Sequence, residues 1–205
     1  PIYDAEGIRN DEHFQSRGMV QHVAASDGER DLGEIAFPGV VPRLGDDPAH
    51  GCGRAMWEAD NEREGAYGTP MALMLLPYWT DSCIGSMEGL YFESSATTPF
   101  HFIDASELSA KPSNPMRGLP YPGLDVAAGV EHLQMLGVKY YLADSTATIG
   151  AADQLPELTK VATSGPWHVY QIADSSLVTP LTHEPVVWNV HDQAVSSVQP
   201  SVAWY

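Results

Sequence analysis

The chain has 205 residues and a formal net charge of −17 from 27 acidic and 10 basic side chains, with a pI near 4.5. That sign excludes phosphate-backbone binding and electrostatic docking to anionic lipid, since both need a basic face. A chain of this length holds one domain with a real core. Its 18 Gly and 16 Pro predict many turns and short elements.

Residues 1–50 read as an irregular arm, because Ile8, Phe14, Met19 and Val23 follow no sustained period. One strand is predicted there, from Ile35 to Val41, interrupted by Pro38. The texture changes at Cys52. Gly53 to Glu58 alternates as a strand, and the acidic run from Asp60 to Glu64 reads as a solvated turn. Thr69-Pro70 is a helix start signal, so a short helix from Pro70 to Leu76 is favoured over a buried strand, the apolar run Met71 to Leu76 being stopped by Pro77. That run is far short of the roughly 20 residues a bilayer demands. Leu90 to Glu93 is read as a strand, and Thr98-Pro99 opens a second helix through Ala110. The proline-rich stretch from Lys111 to Gly123 must be an ordered loop or extended crossing.

The clearest element lies at Asp125 to Gly137. Asp125 can cap, Val126, Val130, Leu133 and Leu136 recur at helical spacing, and Gly137 supplies the left-handed stop. Val138 to Leu142 follows as a strand, β-branched and aromatic. A short helix is expected over Thr148 to Leu155. A hairpin should pair Leu158–Thr163 with Trp167–Ile172 around Ser164-Gly165-Pro166, and Val186 to Val190 reads as a last strand. This order predicts an α/β or α+β fold: a small mixed sheet with packed helices, long loops and the irregular N-terminal arm. The domain would span residues 51–205.

Motifs for catalysis are absent. Ile84-Gly85-Ser86-Met87-Glu88-Gly89 lacks the glycines that a nucleophile elbow needs two residues either side of its serine. No histidine pair has metal-ligand spacing, no acidic cluster follows the EF-hand pattern, and both glycine-rich nucleotide loops are missing. The reading therefore assigns no catalytic residue, no metal and no cofactor. His101, beside Phe102 and three residues before Asp104, is read as a partly buried, satisfied histidine. The two cysteines, Cys52 and Cys83, fit either a disulfide in an exported protein or two buried thiols in a cytosolic one.

Aromatic residues remain. Trp57, Tyr78, Trp79, Tyr91, Phe92, Phe100 and Phe102 are interleaved with Asp81, Glu88, Glu93 and His101. Rings flanked by carboxylates suit sugar recognition, the ring covering an apolar sugar face and the oxygens taking hydroxyls. The competing reading is that most of these rings form the core.

Three stretches carry a resemblance: Gly51 to Glu58, Gly68 to Thr80, and Met87 to Ser95, joined further on by Leu136 to Tyr141 and Gly165 to Gln171. Together they resemble a soluble domain of large actinobacterial polytopic membrane proteins of the YfhO and GT-C class of lipid-linked-sugar glycosyltransferases. The likeness runs from about Cys52 to Trp188 and leaves the first fifty residues unmatched. It implies a domain on the extracytoplasmic side of the cell membrane, cut from a larger protein and tethered by segments outside this sequence. It also implies a Cys52–Cys83 disulfide, because that compartment is oxidising. It carries over no catalytic residue. The expected function is a non-catalytic domain binding or positioning cell-envelope glycan, with Trp57, Tyr78, Trp79, Tyr91 and His101 as the candidate surface. A purely structural or protein-interaction domain is the alternative.

Overall fold

The computed structural model describes residues 20–26, 31–38, 50–66, 69–88, 97–180, 182–183, 201–203 and 205. In the N-terminal stretch, β1 (Val20–Ser26) and β2 (Asp31–Pro38) pair antiparallel, Val20 opposite Pro38 and Val23 opposite Ile35. The strand expected at 35–41 is met by β2 over 35–38, its last three residues lying outside the described ones; β2 begins earlier, and its partner β1 was not foreseen.

The main body is α/β. Its elements are β3 (Gly53–Trp57), α1 (Asn61–Ala66), a 3-10 turn at Ala72–Leu75, α2 (Leu76–Trp79), β4 (Ile84–Ser86) and α3 (Thr98–Glu107). They continue with α4 (Val126–Met135), β5 (Val138–Ala143), α5 (Thr146–Ala152), β6 (Leu158–Ser164) and β7 (Trp167–Ile172). Five strands form one mixed sheet in the order β4-β3-β5-β7-β6. β4, β3 and β5 run parallel; β5, β7 and β6 run antiparallel.

The sheet buries both faces, as a parallel core must. Met56, Tyr141, Ala143, Tyr170 and Ile172 pack with Leu108, Val126, Val130 and Leu133 from α3 and α4. Ala55, Trp57, Tyr140, Leu142 and Val169 point the other way, against Leu73 and Leu76 from the 3-10 turn and α2. Alternate residues of one strand therefore serve different layers. Large rings fill this core, and each fully buried one contributes roughly 2–3 kcal/mol by the area it removes from water.

Local signals explain most elements. Asp125 accepts the Ala128 N–H at 3.2 Å and caps α4, while Gly137 at φ +63° turns the chain from α4 into β5. Ser145 caps α5 by accepting from Thr148 N–H. Gly129 lets α4 lie directly on α3, because a Cβ there would stand 2.7 Å from Leu108 Cδ2 and 3.2 Å from Glu107 Cβ.

Two expectations need correction. Pro77 does not stop a helix: it occupies the first turn of α2, where its missing N–H has no intrahelical partner to lose. The acidic run from Asp60 to Glu64 is no solvated turn. Asp60 Oδ1 accepts the Glu62 and Arg63 N–H groups, each at 3.1 Å, starting α1 and turning Glu64 inward. The strands predicted at 90–93 and 186–190 lie outside the described residues. No helix among the described residues is long and apolar enough to cross a membrane.

Candidate functional site

Of the five residues expected to form a glycan surface, the four that are described, Trp57, Tyr78, Trp79 and His101, are not brought together on one face. Trp57 is 1% exposed and sits in the layer under the 3-10 turn. His101 is buried in α3, its Nε2 lying 3.0 Å from Glu88 Oε1, which matches the satisfied-histidine reading. Tyr91 lies outside the described residues. Only Tyr78, 65% exposed, and the half-buried Trp79 meet, with ring centroids 5.1 Å apart in an edge-to-face arrangement.

Topology places that pair. β3 and β4 are parallel, so the intervening α2 returns the chain to the amino ends of the strands, and Tyr78 and Trp79 arrive there just before β4. The same edge holds the Cys52–Cys83 disulfide, immediately ahead of β3 and β4. Gly53 N–H donates to the Cys83 carbonyl at 3.0 Å, and Tyr140 Oη donates to the His50 carbonyl at 2.7 Å, fixing the loop around the bridge. Nearby, a groove of about 530 Å³ is lined by Lys139, Gln171, Asp174, Ser176 and Thr179 among others.

At the opposite edge, each parallel strand ends on a carboxylate. Glu58 follows β3, Glu88 lies two residues past β4, and Asp144 follows β5. This is also where the chain leaves β3 towards β4 on one side while β5 stands on the other, the kind of crevice in which α/β sheets place their chemistry. Glu58 is almost fully enclosed. Its Oε2 accepts the Asp144 and Ser145 N–H groups at 2.8 and 2.9 Å and the Thr148 hydroxyl, while Oε1 accepts Ala110 N–H at 3.1 Å. Burial opposes its charge, but these hydrogen bonds outweigh it and hold its pKa below the usual value.

Its neighbours go the other way. Burial first, then the Glu58 carboxylate, push Asp144 up to about 7, although Arg63 Nε stands 3.1 Å from its Oδ2. Burial, reinforced by Glu88, Asp144 and Asp60, pushes Glu64 up to about 8. Near neutral pH the cluster therefore keeps Glu58 ionised while Glu64 carries a proton and Asp144 exchanges one. Farther out, Lys111 Nζ meets Glu62 Oε2 at 3.3 Å and Asp60 Oδ2 at 3.6 Å. The innermost carboxylates are too enclosed to touch a ligand, so what this edge can do is hold the strand ends together and titrate.

That titration has a sign. An acid whose folded pKa lies above its usual 4.5 stabilises fully below that value and loses its contribution as pH rises through about 8. The wild-type protein should lose stability from about pH 5 to pH 8, and Glu64→Gln should flatten the slope. Urea unfolding at three pH values across that window checks it; parallel curves for the two proteins would refute it. Burial of Glu64 sets most of the effect, the neighbouring Glu88, Asp144 and Asp60 carboxylates add to it, and the backbone hydrogen bond at Asp60 opposes it.

A second group of acids lies between α3 and α4. Asp104 and Glu107, one helical turn apart, meet His132 from α4, and Tyr205 closes over them. Burial raises the pKa of Asp104 well above its usual value against the hydrogen bond from Tyr205, and burial likewise raises that of Glu107 against His132. The sequence hid this group: His132 is 28 positions from Asp104, and only the packing of α3 on α4 joins them.

No protein family, curated protein or solved structure matches this chain.

Proposed function

We propose that this domain is a non-catalytic extracytoplasmic part of a membrane glycosyltransferase-like protein, where it binds or positions cell-envelope glycan. The observation that carries the reading is Tyr78, whose exposed ring stands edge-on to Trp79 on a turn clamped by the Cys52–Cys83 disulfide. A rigidly held ring offers a sugar its stacking surface without an ordering cost. A separate groove by the amino end of β5 and the carboxyl end of β7 adds polar groups: Lys139, Gln171, Asp174, Ser176 and Thr179 offer donors and acceptors for hydroxyls. The disulfide agrees with an oxidising compartment outside the cytoplasm.

NMR titration with arabinan and mannan fragments tests this. Amide shifts should cluster at 76–83 and 171–180, and Tyr78→Ala should weaken binding about tenfold, the loss of one stacking contact of roughly 1–1.5 kcal/mol. The alternative, a structural or protein-interaction domain, draws on Met71 and Leu75, which are about half exposed in the same short stretch as Tyr78. Fragments that move no resonance at either segment would overturn the glycan reading and leave this one.

A further inference from the structure

From the packing of α3 on α4, we infer that Asp104, Glu107 and His132 form a binding site for one divalent transition-metal ion, Zn²⁺ foremost. Asp104 and Glu107 project from the same side of α3 because they are three residues apart. His132 stands one turn beyond Gly129, the residue whose lack of a side chain lets α4 approach Leu108 and Glu107. Helix packing therefore fixes the three side chains in place before any ion arrives.

Spacing of the ligand atoms fits a shared ion. His132 Nδ1 is 2.7 Å from Glu107 Oε2 and 3.7 Å from Asp104 Oδ1, and one atom from each residue falls within 4.8 Å of the others. Tetrahedral metal bonds of about 2.0–2.2 Å put neighbouring ligand atoms roughly 3.3–3.6 Å apart, between those two separations.

The surroundings prepare the ligands. His132 Nε2 lies 3.2 Å from the main-chain oxygen of Tyr205, an acceptor that would keep the ring proton on Nε2 once an ion takes the Nδ1 lone pair and displaces the Nδ1–Glu107 contact. A histidine oriented by a hydrogen bond from its far nitrogen is the usual outer support of a metal ligand. The Tyr205 ring stacks on His132 at 4.1 Å, and its hydroxyl donates to Asp104 Oδ1 at 2.5 Å. Asp104 is fully buried, yet its Oδ2 has no hydrogen-bond donor among the described residues. An acceptor left so deep in the protein costs about 1–3 kcal/mol unless something positive meets it. One imidazole with two carboxylates favours Zn²⁺ or Mn²⁺ over Ca²⁺ and Mg²⁺, which take all-oxygen sets.

Calorimetry of the whole metal-stripped chain with Zn²⁺ tests the site. One equivalent should bind and raise the melting temperature, and millimolar Mg²⁺ or Ca²⁺ should not displace it. Glu107→Gln and His132→Gln, each checked for native circular dichroism, should weaken binding at least about 10- to 100-fold. Mn²⁺ should broaden the NMR signals of Ser106, Gly129 and His132 in the wild type, which needs no variant to fold. Failure to take up Zn²⁺ at micromolar concentration would overturn the proposal. So would uptake left unchanged by both substitutions, because the ion would then sit on other histidines.

Discussion

Glu58→Ala should cost about 4 kcal/mol or more in urea unfolding, a large part of the 5–15 kcal/mol that holds a domain folded. The number follows from what this one carboxylate connects. It accepts from the Asp144 and Ser145 N–H groups past β5, from the Thr148 hydroxyl in α5 and from Ala110 N–H after α3. Removal leaves the buried Asp144 N–H and Thr148 hydroxyl without this acceptor, each costing about 1–3 kcal/mol if nothing replaces it, and frees the part-buried Ser145 and Ala110 N–H groups as well. Glu58→Gln keeps the shape but must turn its NH₂ towards either Ala110 N–H or the Asp144 and Ser145 pair, so roughly 2 kcal/mol should still be lost. It also removes a negative charge beside Asp144. The Asp144 carboxyl, now near 7, should then titrate lower, a shift readable by NMR. A Glu58→Gln protein with wild-type stability and an unmoved Asp144 would show that the carboxylate is not the hub described.

Sequence reading succeeded where a short segment contains its own reasons. Asp125 and Gly137 bracket α4 by capping chemistry alone, and the hairpin of β6 and β7 turns where Gly165-Pro166 marks it. It failed where the reason lies elsewhere in the chain. Glu64 looks like any surface acid in an acidic run, and only folding buries it and sets Glu88, past β4, and Asp144, past β5, close enough to act on it. β4 has three residues and a central glycine, too short to announce itself; its strand identity comes from pairing with β3. Trp57 and Tyr78 carry equal weight as aromatic residues in sequence, yet alternation along β3 turns one into the core while α2 turns the other outward. Interleaved rings and carboxylates therefore describe composition near a site without saying which rings reach solvent.

Loss of the Cys52–Cys83 bridge is expected to have the second large effect. The two cysteines are 31 positions apart, and on the chain-entropy model a loop of that size is worth about 3 to 4 kcal/mol. The bridge also does local work, because it joins the amino ends of neighbouring parallel strands, one of which, β4, is a three-residue edge strand held by few ladder bonds. A Cys52→Ser, Cys83→Ser double variant should therefore lose stability unevenly. Hydrogen exchange should quicken first in β4 and α2, while β5, β7 and β6, which pair with one another independently of the bridge, stay protected. Tyr78 and Trp79 ride on α2, so any glycan affinity should fall in the double variant as it does in Tyr78→Ala, but through loosened presentation of rings that are still there. Equal denaturation midpoints with and without reductant would refute the stabilising role. Uniform exchange across the sheet would refute the local one, and would place the support of the aromatic pair in the packing of Leu73 and Leu76 instead.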